Sequence, residues 1–582
     1  MKKFFCVNHT DFTFTFEEDV RIDFDLIEDR DGVELYRIRF DWQKLCTPKK
    51  INLVYTFPCV DCYSSWDPLG KLRFLPLGTK QDTESRLGYG MPLKGVLSRE
   101  GNNSHLIALS DVKSPLLQSI RAMPSGGVLS VSVTFFTALT GPFESYEAIL
   151  RVDRRKLPFC QTLCEARAWF ESLGYQNAYV PKAATLPMYS TWYSYGQKIS
   201  EEDVLRECEQ AAKLGMKAVI LDDGWQTDNT SSIYGYCGDW KPVFHKFPDM
   251  KALADKIHAL GMKLLLWFSV PFMGKYVENY EKFEGMYLCY HENLECYVFD
   301  PRYKKTREFL VDLYADAVEK WGLDGLKLDF IDRFKSNGES NENMDFVSVE
   351  DAVQQLLEDI STKLRQINPE ILIEFRQPYF GPVISAYGNM MRVWDCPLDA
   401  VMNRTQSINL RLVSGSCAIH SDMIYWHKED RPESVALQLW GTLFSVPQIS
   451  ARLEEITEEQ KAVLARYLSF WNAHRKTITK GTLRVKFTES SYGYAEASHE
   501  DEAVAILTSN SILEPNPDFA KFYAINLTDS ESMILKNPSR VPLSCTVYDC
   551  KGNVIDTTLI SEPLAEVNIP LGGMTEIIKA TT

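Results

Sequence analysis

Acidic residues stand at the ends of several short apolar segments in the middle of the chain. Asp222 and Asp223 follow AVIL, Asp329 ends GLKLD, and Asp395 ends MMRVWD. An unpaired carboxylate is costly in a protein core, and a strand end that serves only for packing is usually apolar. These acids therefore predict a shared polar pocket, provided that the segments carrying them end on the same side of the fold.

Basic and aromatic residues accompany these acids. Lys327 precedes Asp329 by two positions, Arg392 precedes Asp395 by three, and Arg376 lies at the end of a further apolar segment. The aromatic residues near the segment ends are Trp192, Trp225 and Trp267. Carboxylates accept hydrogen bonds from hydroxyls, Lys and Arg donate them to sugar oxygens, and indole faces pack on apolar C–H groups. A pocket with this lining is suited to a sugar.

Each of these residues also has a structural explanation. Asp222 could cap a helix. Lys327 could be the buried ion-pair partner of Asp329, because side chains two apart in a strand point to the same face. Trp225 and Trp267 could be core residues, and only their position beside the acids favours a binding role.

The elements that would position these residues alternate in type between residues 185 and 480. Apolar strand-like segments are separated by amphipathic helical patterns, such as the one that Ser200 and Asp203 would cap and the one that Gly261 would end. Strand and helix repeated about eight times predict a (β/α)8 TIM barrel, in which functional residues gather at the C-terminal ends of the strands. An open doubly wound sheet is the alternative, but no glycine-rich phosphate loop follows the first strand.

The segments on either side of the barrel have the alternating pattern of antiparallel strands. Residues 1–180 contain runs such as FTFTF and VLSVSVTFF between polar turns, which predict an N-terminal antiparallel β-sandwich. Residues 482–582 contain a second set of short strands and predict a small C-terminal antiparallel β-domain. The predicted fold is multidomain α/β, with the barrel over 185–480 between two β-domains.

The composition excludes several classes of partner. The formal charge of −16 over 582 residues would repel nucleic acids and anionic membranes, and no apolar run reaches the ~18 residues that span a bilayer. The first residues lack the apolar core of a secretory signal, which predicts a cytoplasmic protein. Cys59 and Cys62 have redox or zinc spacing, but no second pair or histidine follows nearby. We therefore expect free thiols, no metal site and no cofactor.

Three motifs resemble glycoside hydrolase family 36, an α-galactosidase family in the same clan as family 27. They are LDDGW at 221–225, KFPDMKALADKIHALGMKLLLWF at 246–268 and GLKLDF at 325–330. The resemblance extends over the barrel and agrees with that family's layout of sandwich, barrel and β-domain. It implies a retaining α-glycosidase, specifically an α-galactosidase that hydrolyses terminal α-galactosides by double displacement.

The resemblance also implies sugar contacts for the matching residues. Asp222 and Asp223 would bind the axial 4-hydroxyl and the 6-hydroxyl of a galactosyl unit. Lys327 would donate to the 3- and 4-hydroxyls, and Arg392 would contact the 2-hydroxyl side. The aromatic residues at the sugar would be Trp192, Trp267 and, reaching over the pocket from the N-terminal domain, Trp66 of SSWDP.

For catalysis, the resemblance implies Asp329 as the nucleophile and Asp395 as the acid/base. The spacing from Arg392 to Asp395 is one residue shorter than the family pattern, which leaves Asp399 of WDCPLDA as a rival. We prefer Asp395 because it ends the strand directly, whereas Asp399 would begin the next helix as a cap. The acid/base should have a raised pKa, which Trp394 and an apolar rim could cause by desolvation.

Two other segments depart from the family pattern. After Trp267, many relatives have an acid and a proline, but residues 268–271 here are FSVP. The family's Cys- and Gly-rich loop after the fifth strand is replaced by RQPYF, which begins at Arg376. That loop faces the 2-substituent of the sugar in the family, so selectivity at this position is open.

Several alternatives remain open from the sequence. A transglycosylase making raffinose-type sugars would use the same residues, and so would a hydrolase of α-N-acetylgalactosaminides or β-L-arabinopyranosides. A sugar-binding protein without catalysis is a further alternative, although both expected carboxylates are present. The expected partner is an oligosaccharide or glycoside. Relatives are often homo-oligomers, but no feature of the sequence decides this.

Overall fold

The computed structural model of the protein describes residues 1–70, 73–74, 80–123, 125–336, 338–487, 491–510, 512–516 and 518–579. Over these ranges, a central barrel lies between two β-sheet domains. The last residues of the predicted C-terminal domain, 580–582, lie outside the described residues. Within the described ranges, none of the helices combines the length and apolar character that crossing a bilayer requires.

The N-terminal part of the chain is an antiparallel β-sandwich. Its strands are β1 (Lys2–Val7), β2 (Thr10–Thr15), β3 (Arg21–Arg30), β4 (Val33–Cys46), β5 (Ile51–Pro58), β6 (Ser64–Trp66), β7 (Arg73–Phe74), β8 (Lys80–Ser85), β9 (Leu93–Leu97), β10 (Asn103–Leu109), β11 (Leu116–Met123), β12 (Val128–Phe135) and β13 (Phe143–Asp153). One sheet has the order β1-β2-β5-β12-β11-β8, and the other has the order β3-β4-β13-β10-β9-β6-β7. Alternate side chains of both sheets, such as Phe14, Phe40 and Val131, form one buried core.

The middle of the chain forms the barrel. Its strands are β14 (Met188–Ser190), β15 (Ala218–Leu221), β16 (Lys263–Ser269), β17 (Phe272–Gly274), β18 (Tyr287–His291), β19 (Cys296–Phe299), β20 (Gly325–Asp329), β21 (Leu372–Arg376), β22 (Met390–Arg392), β23 (Ala418–His420) and β24 (Gln448–Ile449). Strands β17–β19 form a small antiparallel sheet after β16, and the other eight are parallel neighbours in the order β24-β14-β15-β16-β20-β21-β22-β23. A parallel bridge between His420 and Val446 closes the ring. The predicted (β/α)8 barrel is confirmed.

Helices cover the outside of the barrel. They are α1 (Phe159–Ser172), α2 (Trp192–Tyr195), α3 (Glu201–Lys213), α4 (Met250–Ala259), α5 (Lys304–Trp321), α6 (Val349–Ile367), α7 (Ala400–Val413), α8 (Pro432–Gly441), α9 (Glu458–Ala473) and α10 (Arg475–Lys480). Short 3-10 helices span Lys182–Thr185, Tyr280–Phe283, Glu292–Leu294, Ile331–Arg333 and Ile384–Ala386. Ser200 and Asp203 form the expected capping box of α3, and Gly261 follows α4 with a φ of 72°, which a residue without Cβ adopts readily.

The C-terminal domain is a second β-structure. Its strands are β25 (Thr482–Phe487), β26 (Tyr492–His499), β27 (Glu502–Leu507), β28 (Lys521–Asn526), β29 (Ser532–Lys536), β30 (Leu543–Tyr548), β31 (Val554–Ile560), β32 (Leu564–Asn568) and β33 (Met574–Lys579). The main sheet has the order β25-β26-β27-β28-β33-β30-β31. The main sheet is antiparallel, as the sequence predicts, except that β27 and β28 pair in parallel. The longer connection between them allows the chain to return to the same end of the sheet.

All three parts of the chain meet at Asn409 on α7. Its side-chain oxygen accepts a hydrogen bond from the indole N–H of Trp66 at 3.0 Å and another from the hydroxyl of Tyr492. Trp66 also packs edge-on against Phe159, and it is only 1% exposed. The expectation that Trp66 reaches over the pocket is therefore wrong, because its ring is enclosed in the contact between the domains.

We expect Asn409→Ala to lower the midpoint of thermal unfolding. The substitution leaves the donors of Trp66 and Tyr492 without this acceptor in a buried contact, which costs about 2–4 kcal/mol. Scanning calorimetry on the whole chain measures the change. As a control, Asn341→Ala changes an exposed residue that donates to the Tyr303 hydroxyl and should shift stability by less than about 0.5 kcal/mol. Equal midpoints for the two variants would contradict the role of Asn409.

Candidate active site

The carboxylate of Asp329, at the end of β20, is held by donors on both of its oxygens. Oδ1 accepts hydrogen bonds from Arg376 Nε at 2.7 Å, from the Tyr379 hydroxyl at 3.1 Å and from the backbone N–H of Phe330 at 2.7 Å. Oδ2 accepts one from Trp267 Nε1 at 3.0 Å. The Asp329 side chain is 6% exposed, so its orientation is set by the protein.

The surroundings of Asp329 favour its charged form. Burial alone would raise the pKa of this carboxyl. The positive charges of Arg376, Lys327 and Arg392 outweigh burial, together with the hydrogen bond from Trp267, and hold the pKa well below its ordinary value. The group is therefore an oriented anion at neutral and mildly acidic pH.

The backbone directly after Asp329 has an uncommon conformation. Phe330 has a φ of 67°, in the left-handed region that residues with large side chains rarely adopt. This turn directs the N–H of Phe330 back to the carboxylate. The Phe330 ring packs against Phe272 and Tyr234, with centroids 4.8 and 5.1 Å away. Conformations of this kind cost about 1–3 kcal/mol and cluster at functional sites.

Lys327 lies between two carboxylates. Its Nζ is 2.6 Å from Asp222 Oδ2 and 3.9 Å from Asp329 Oδ2. The sequence suggested Lys327 as the direct partner of Asp329, but Arg376 holds that position because β21 lies beside β20. Asp222 Oδ1 accepts a hydrogen bond from the N–H of Asp223 at 2.9 Å. The residues after Asp222 form a turn, so the helix-cap explanation of Asp222 does not apply.

Asp223 is held by two glutamines. Its oxygens accept hydrogen bonds from Gln197 Nε2 at 2.8 Å and from Gln226 Nε2 at 2.7 Å. Burial raises the pKa of the Asp223 carboxyl to about 6, although both glutamine donors oppose the shift. The negative charge of Asp222 raises this pKa further. The pair of acids therefore differs in environment, since Asp222 faces a cation and Asp223 faces neutral amides.

Arg392, at the end of β22, lies beneath the acids of the next two loops. It is 0% exposed, and its Nη2 donates to Asp395 Oδ1 at 2.9 Å. Its Nη1 donates to Asp422, and its Nε is 3.5 Å from Glu374. The expectation that Arg392 contacts a sugar hydroxyl is not supported by this geometry, because its guanidinium is enclosed by carboxylates.

Asp395 is the accessible acid of this group. Its side chain is 47% exposed. The surrounding protein would raise the pKa of its carboxyl, but the positive charges of Arg392, Arg376 and Lys327 outweigh that effect and hold this pKa below its ordinary value. The expectation of a raised pKa is therefore wrong for the unliganded protein. Asp399 is the N-cap of α7, where its carboxylate accepts a hydrogen bond from the N–H of Met402 at 2.8 Å.

The three barrel tryptophans predicted to line the pocket have different positions. Trp267 is in contact with Asp329 through its indole N–H. Trp192 is half-buried and begins the short helix α2 directly after β14. Trp225 is 0% exposed and packs against Trp240 and Trp321, with its indole N–H donating to the Trp267 carbonyl at 3.0 Å. Trp225 therefore supports Trp267 from behind, and its expected contact with the sugar is wrong.

The N-terminal domain supports the site through one loop. The N–H of Gly90 donates to the carbonyl of Pro378 at 2.8 Å, next to Tyr379. Arg86 Nη2 donates to the carbonyl of Asp332 at 2.8 Å, in the turn after β20. The two loops that bring Tyr379 and Phe330 to Asp329 are thus held from outside the barrel.

Three polar residues were not selected for the site by sequence analysis. Tyr379 contacts Asp329, Gln197 orients Asp223, and Asp422 accepts hydrogen bonds from Arg392 and from the Tyr193 hydroxyl. In the sequence, Tyr379 stands in a loop that departs from the family pattern, and Gln197 lies in an ordinary polar stretch. Asp422 follows a strand, like the selected acids, so its position was the one available signal.

The arrangement gives a pocket of carboxylates and cations at the C-terminal ends of neighbouring strands. Within the part of the chain that the structure describes, no group of three or more His, Cys, Asp or Glu is placed to hold a metal ion. The acids are instead matched to Lys327, Arg376 and Arg392. One carboxylate is buried and ionised, and another is accessible, so the pocket could provide both a nucleophile and a proton carrier.

Comparison with known proteins gives a family match over the barrel. The melibiase family model matches residues 185–481 of the 582-residue chain. The α-galactosidase Mel36A of Lactobacillus acidophilus is 30% identical over 152 residues, which cover 24% of this chain and 20% of that protein. The α-galactosidase 2 of Pediococcus pentosaceus is 26% identical over 215 residues, which cover 35% of this chain and 29% of that protein. The alignments thus span less than a third of either relative.

Solved structures share the complete fold. A crystal structure of the family 36 α-galactosidase AgaA from Geobacillus stearothermophilus in complex with raffinose has a TM-score of 0.67 at 16% identity, covering 98% of this chain and 81% of that chain. A different substituted variant of AgaA, in complex with stachyose, has a TM-score of 0.64 at 15% identity, with the same coverage. The likeness extends through both β-domains and the barrel.

We expect Gln197→Ala to raise the pKa of Asp223 above its value of about 6. A hydrogen bond donated to a carboxylate stabilises the charged form, so its removal should raise the pKa by about one unit. Carbon-13 NMR of labelled aspartate carboxyls measures the titration. Gln176→Ala, at an exposed glutamine outside the pocket, should leave the titration unchanged. A lowered pKa in Gln197→Ala would show that the amide does not act as described.

Proposed function

We propose, from the premise that this chain belongs to the melibiase family, that it is a retaining α-galactosidase. Its substrates would be oligosaccharides or glycosides with a terminal α-galactosyl unit. The α-galactosidases similar to this chain support the choice of sugar. Structural relatives that bind raffinose and stachyose support oligosaccharides as the substrate class.

One observation carries the proposal: Asp329 and Asp395 face the same cationic cluster. Arg376 Nε is 2.7 Å from Asp329 Oδ1, Arg392 Nη2 is 2.9 Å from Asp395 Oδ1, and the two arginines are register partners on neighbouring strands. Asp329 is the buried acid and Asp395 is the accessible one. Two carboxyl groups with different environments around one pocket are what a glycosidase mechanism needs.

In the proposed mechanism, Asp329 is the nucleophile. Its ionised carboxylate attacks the anomeric carbon and forms a β-linked glycosyl-enzyme, while Asp395 donates a proton to the leaving oxygen. Asp395 then removes a proton from water, which attacks the same carbon and releases α-galactose. Trp267, Arg376 and Tyr379 keep the nucleophile oriented through their hydrogen bonds.

Binding of the sugar would rely on Asp222, Asp223 and Lys327. Asp222 and Asp223 carry carboxylate oxygens that can accept hydrogen bonds from galactosyl hydroxyls. Lys327 is already held by Asp222 at 2.6 Å, so its position is fixed before substrate arrives. A preorganised polar site loses little free energy in reordering when the substrate binds.

The cysteines indicate the cellular compartment of the protein. All 14 cysteines are free, which fits a reducing compartment. We propose the cytoplasm on this ground. Fractionation of the native host, followed by detection with an antibody to the chain, would test the proposed location. Recovery of the protein outside the cell would contradict it.

The nucleophile can be tested by chemical rescue. We expect Asp329→Ala to lower kcat by at least about 10³-fold on activated α-galactosides, because no group remains to form the glycosyl-enzyme. Added azide should restore turnover and give β-galactosyl azide, which NMR identifies. Asp345→Ala removes a carboxylate that pairs with Arg307 and should keep wild-type kcat. A rescued product with the α-configuration, or inverted product from the wild-type enzyme, would contradict the mechanism.

The acid/base can be tested with two matched variants. We expect Asp395→Asn to lower kcat/KM by about 10²–10⁴-fold for α-galactosides with poor leaving groups and far less for dinitrophenyl galactoside, which needs no protonation. Asp399→Asn should retain activity on both, since Asp399 caps α7. Because cations depress the pKa of Asp395, its protonated form is lost at lower pH than that of an ordinary aspartic acid, and Asp395→Asn should remove this alkaline limb from the profile of kcat/KM. The reverse pattern of the two variants would assign the role to Asp399.

A further inference from the structure

Two exposed tyrosines form a pair at the rim of the barrel. Tyr236 lies in the loop after β15, and Tyr276 follows β17 by two residues. Their ring centroids are 5.1 Å apart with 31° between the planes, and they are 37% and 50% exposed. The loop with Tyr236 leaves the C-terminal end of barrel strand β15, and the small sheet that begins with β17 follows the C-terminal end of barrel strand β16. The pair is therefore on the same face as the pocket. Exposed aromatic rings held together are characteristic of binding surfaces.

Tyr234 joins this pair to the pocket. Its ring lies 6.2 Å from the Trp267 ring, nearly parallel to it, and 5.1 Å from the Phe330 ring. Trp267 donates its indole N–H to Asp329. Tyr234 is separated from Tyr236 by a single residue, so the segment that carries Tyr236 also contributes a ring to the wall of the site at Trp267.

Backbone hydrogen bonds and close packing fix the position of the tyrosine pair. The N–H of Tyr276 donates to the carbonyl of Gly235 at 3.0 Å, and the N–H of Gly274 donates to the carbonyl of Cys237 at 2.7 Å. A Cβ at position 235 would lie 2.8 Å from Tyr276 Cδ2, so the ring packs directly on the glycine. The Tyr276 hydroxyl donates to Glu295 Oε1 at 3.1 Å. A surface ordered in advance loses little entropy on binding.

Polar groups border the pair. Lys275 Nζ is 2.7 Å from Glu295 Oε1 and 4.8 Å from the centroid of the Tyr276 ring. Both charged groups are about one-third exposed. Flat aromatic faces beside an ammonium and a carboxylate match the two sides of a pyranose, which has apolar C–H faces and hydroxyls at its edge.

We propose that Tyr236 and Tyr276 form an outer subsite for the sugar units that follow the terminal galactosyl group of an oligosaccharide. The inference rests on the proposed function, because it places the galactosyl unit at Asp329 and the remainder of the chain on the tyrosine pair. The pair then raises the ratio of kcat/KM for tri- and tetrasaccharides to kcat/KM for galactosides with small leaving groups, and we call this ratio the stachyose preference.

The test compares two substrates that share the galactosyl unit. Stachyose extends into the outer subsite, whereas α-galactosyl fluoride has a leaving group too small to reach it. In the double variant with Tyr236→Ala and Tyr276→Ala, we expect kcat/KM for stachyose to fall by about tenfold relative to that for the fluoride. Tyr276→Phe keeps the ring and should retain most of the preference.

A matched control is Tyr179→Ala. Tyr179 is 64% exposed and lies before β14, at the opposite end of the barrel, so its loss should leave both kcat/KM values unchanged. If wild-type enzyme does not release fluoride, the proposed function fails. If it does, but the double variant keeps the stachyose preference, the outer subsite is refuted. A change of oligomeric state in size-exclusion chromatography, with the preference intact, would instead assign the pair to a contact between copies of the chain.

Discussion

A carboxylate that stays ionised in a buried pocket is the constraint on which this site depends. Removing the charge of Asp329 from water costs several kcal/mol unless cations and donors replace the lost hydration. Arg376 and Lys327 supply the charge, and Trp267 and Tyr379 supply further hydrogen bonds. Loss of one cation would leave a buried charge without compensation, so these residues act as one electrostatic unit rather than as separate contacts.

The barrel makes such a concentration of charge possible because neighbouring parallel strands end side by side. Arg376 and Arg392 are directly opposite each other in the register of β21 and β22, an arrangement of like charges that would repel in isolation. It is tolerated because Asp329 binds one guanidinium and Asp422 and Asp395 bind the other. The same ion pairs place the accessible Asp395 and the buried Asp329 around a single pocket. In the proposed mechanism, Asp395 must carry a proton and Asp329 must be ionised.

The segments outside the barrel strands have separate tasks. A loop of the N-terminal sandwich holds the turns that carry Phe330 and Tyr379, whereas Tyr276 lies in the connection between β17 and β18 of the small sheet. If Tyr276 belongs to the proposed outer subsite, substitutions there would change which extended sugars bind while the charge cluster stays intact. This separation explains how one barrel can keep its chemistry and vary its choice of substrate.

The sequence alone determined the eight barrel strands, the caps of α3 and α4, and the position of the acids at strand ends, because hydrophobic period and capping chemistry are local properties. The sequence did not determine which side chains form ion pairs and hydrogen bonds with each other. That Arg376 rather than Lys327 binds Asp329, that Arg392 is enclosed by acids, and that Trp66 and Trp225 face away from the pocket followed only from the tertiary structure. Partner choice depends on side-chain directions across neighbouring strands and domains, and the pKa of Asp395 depends on charges from three different strands.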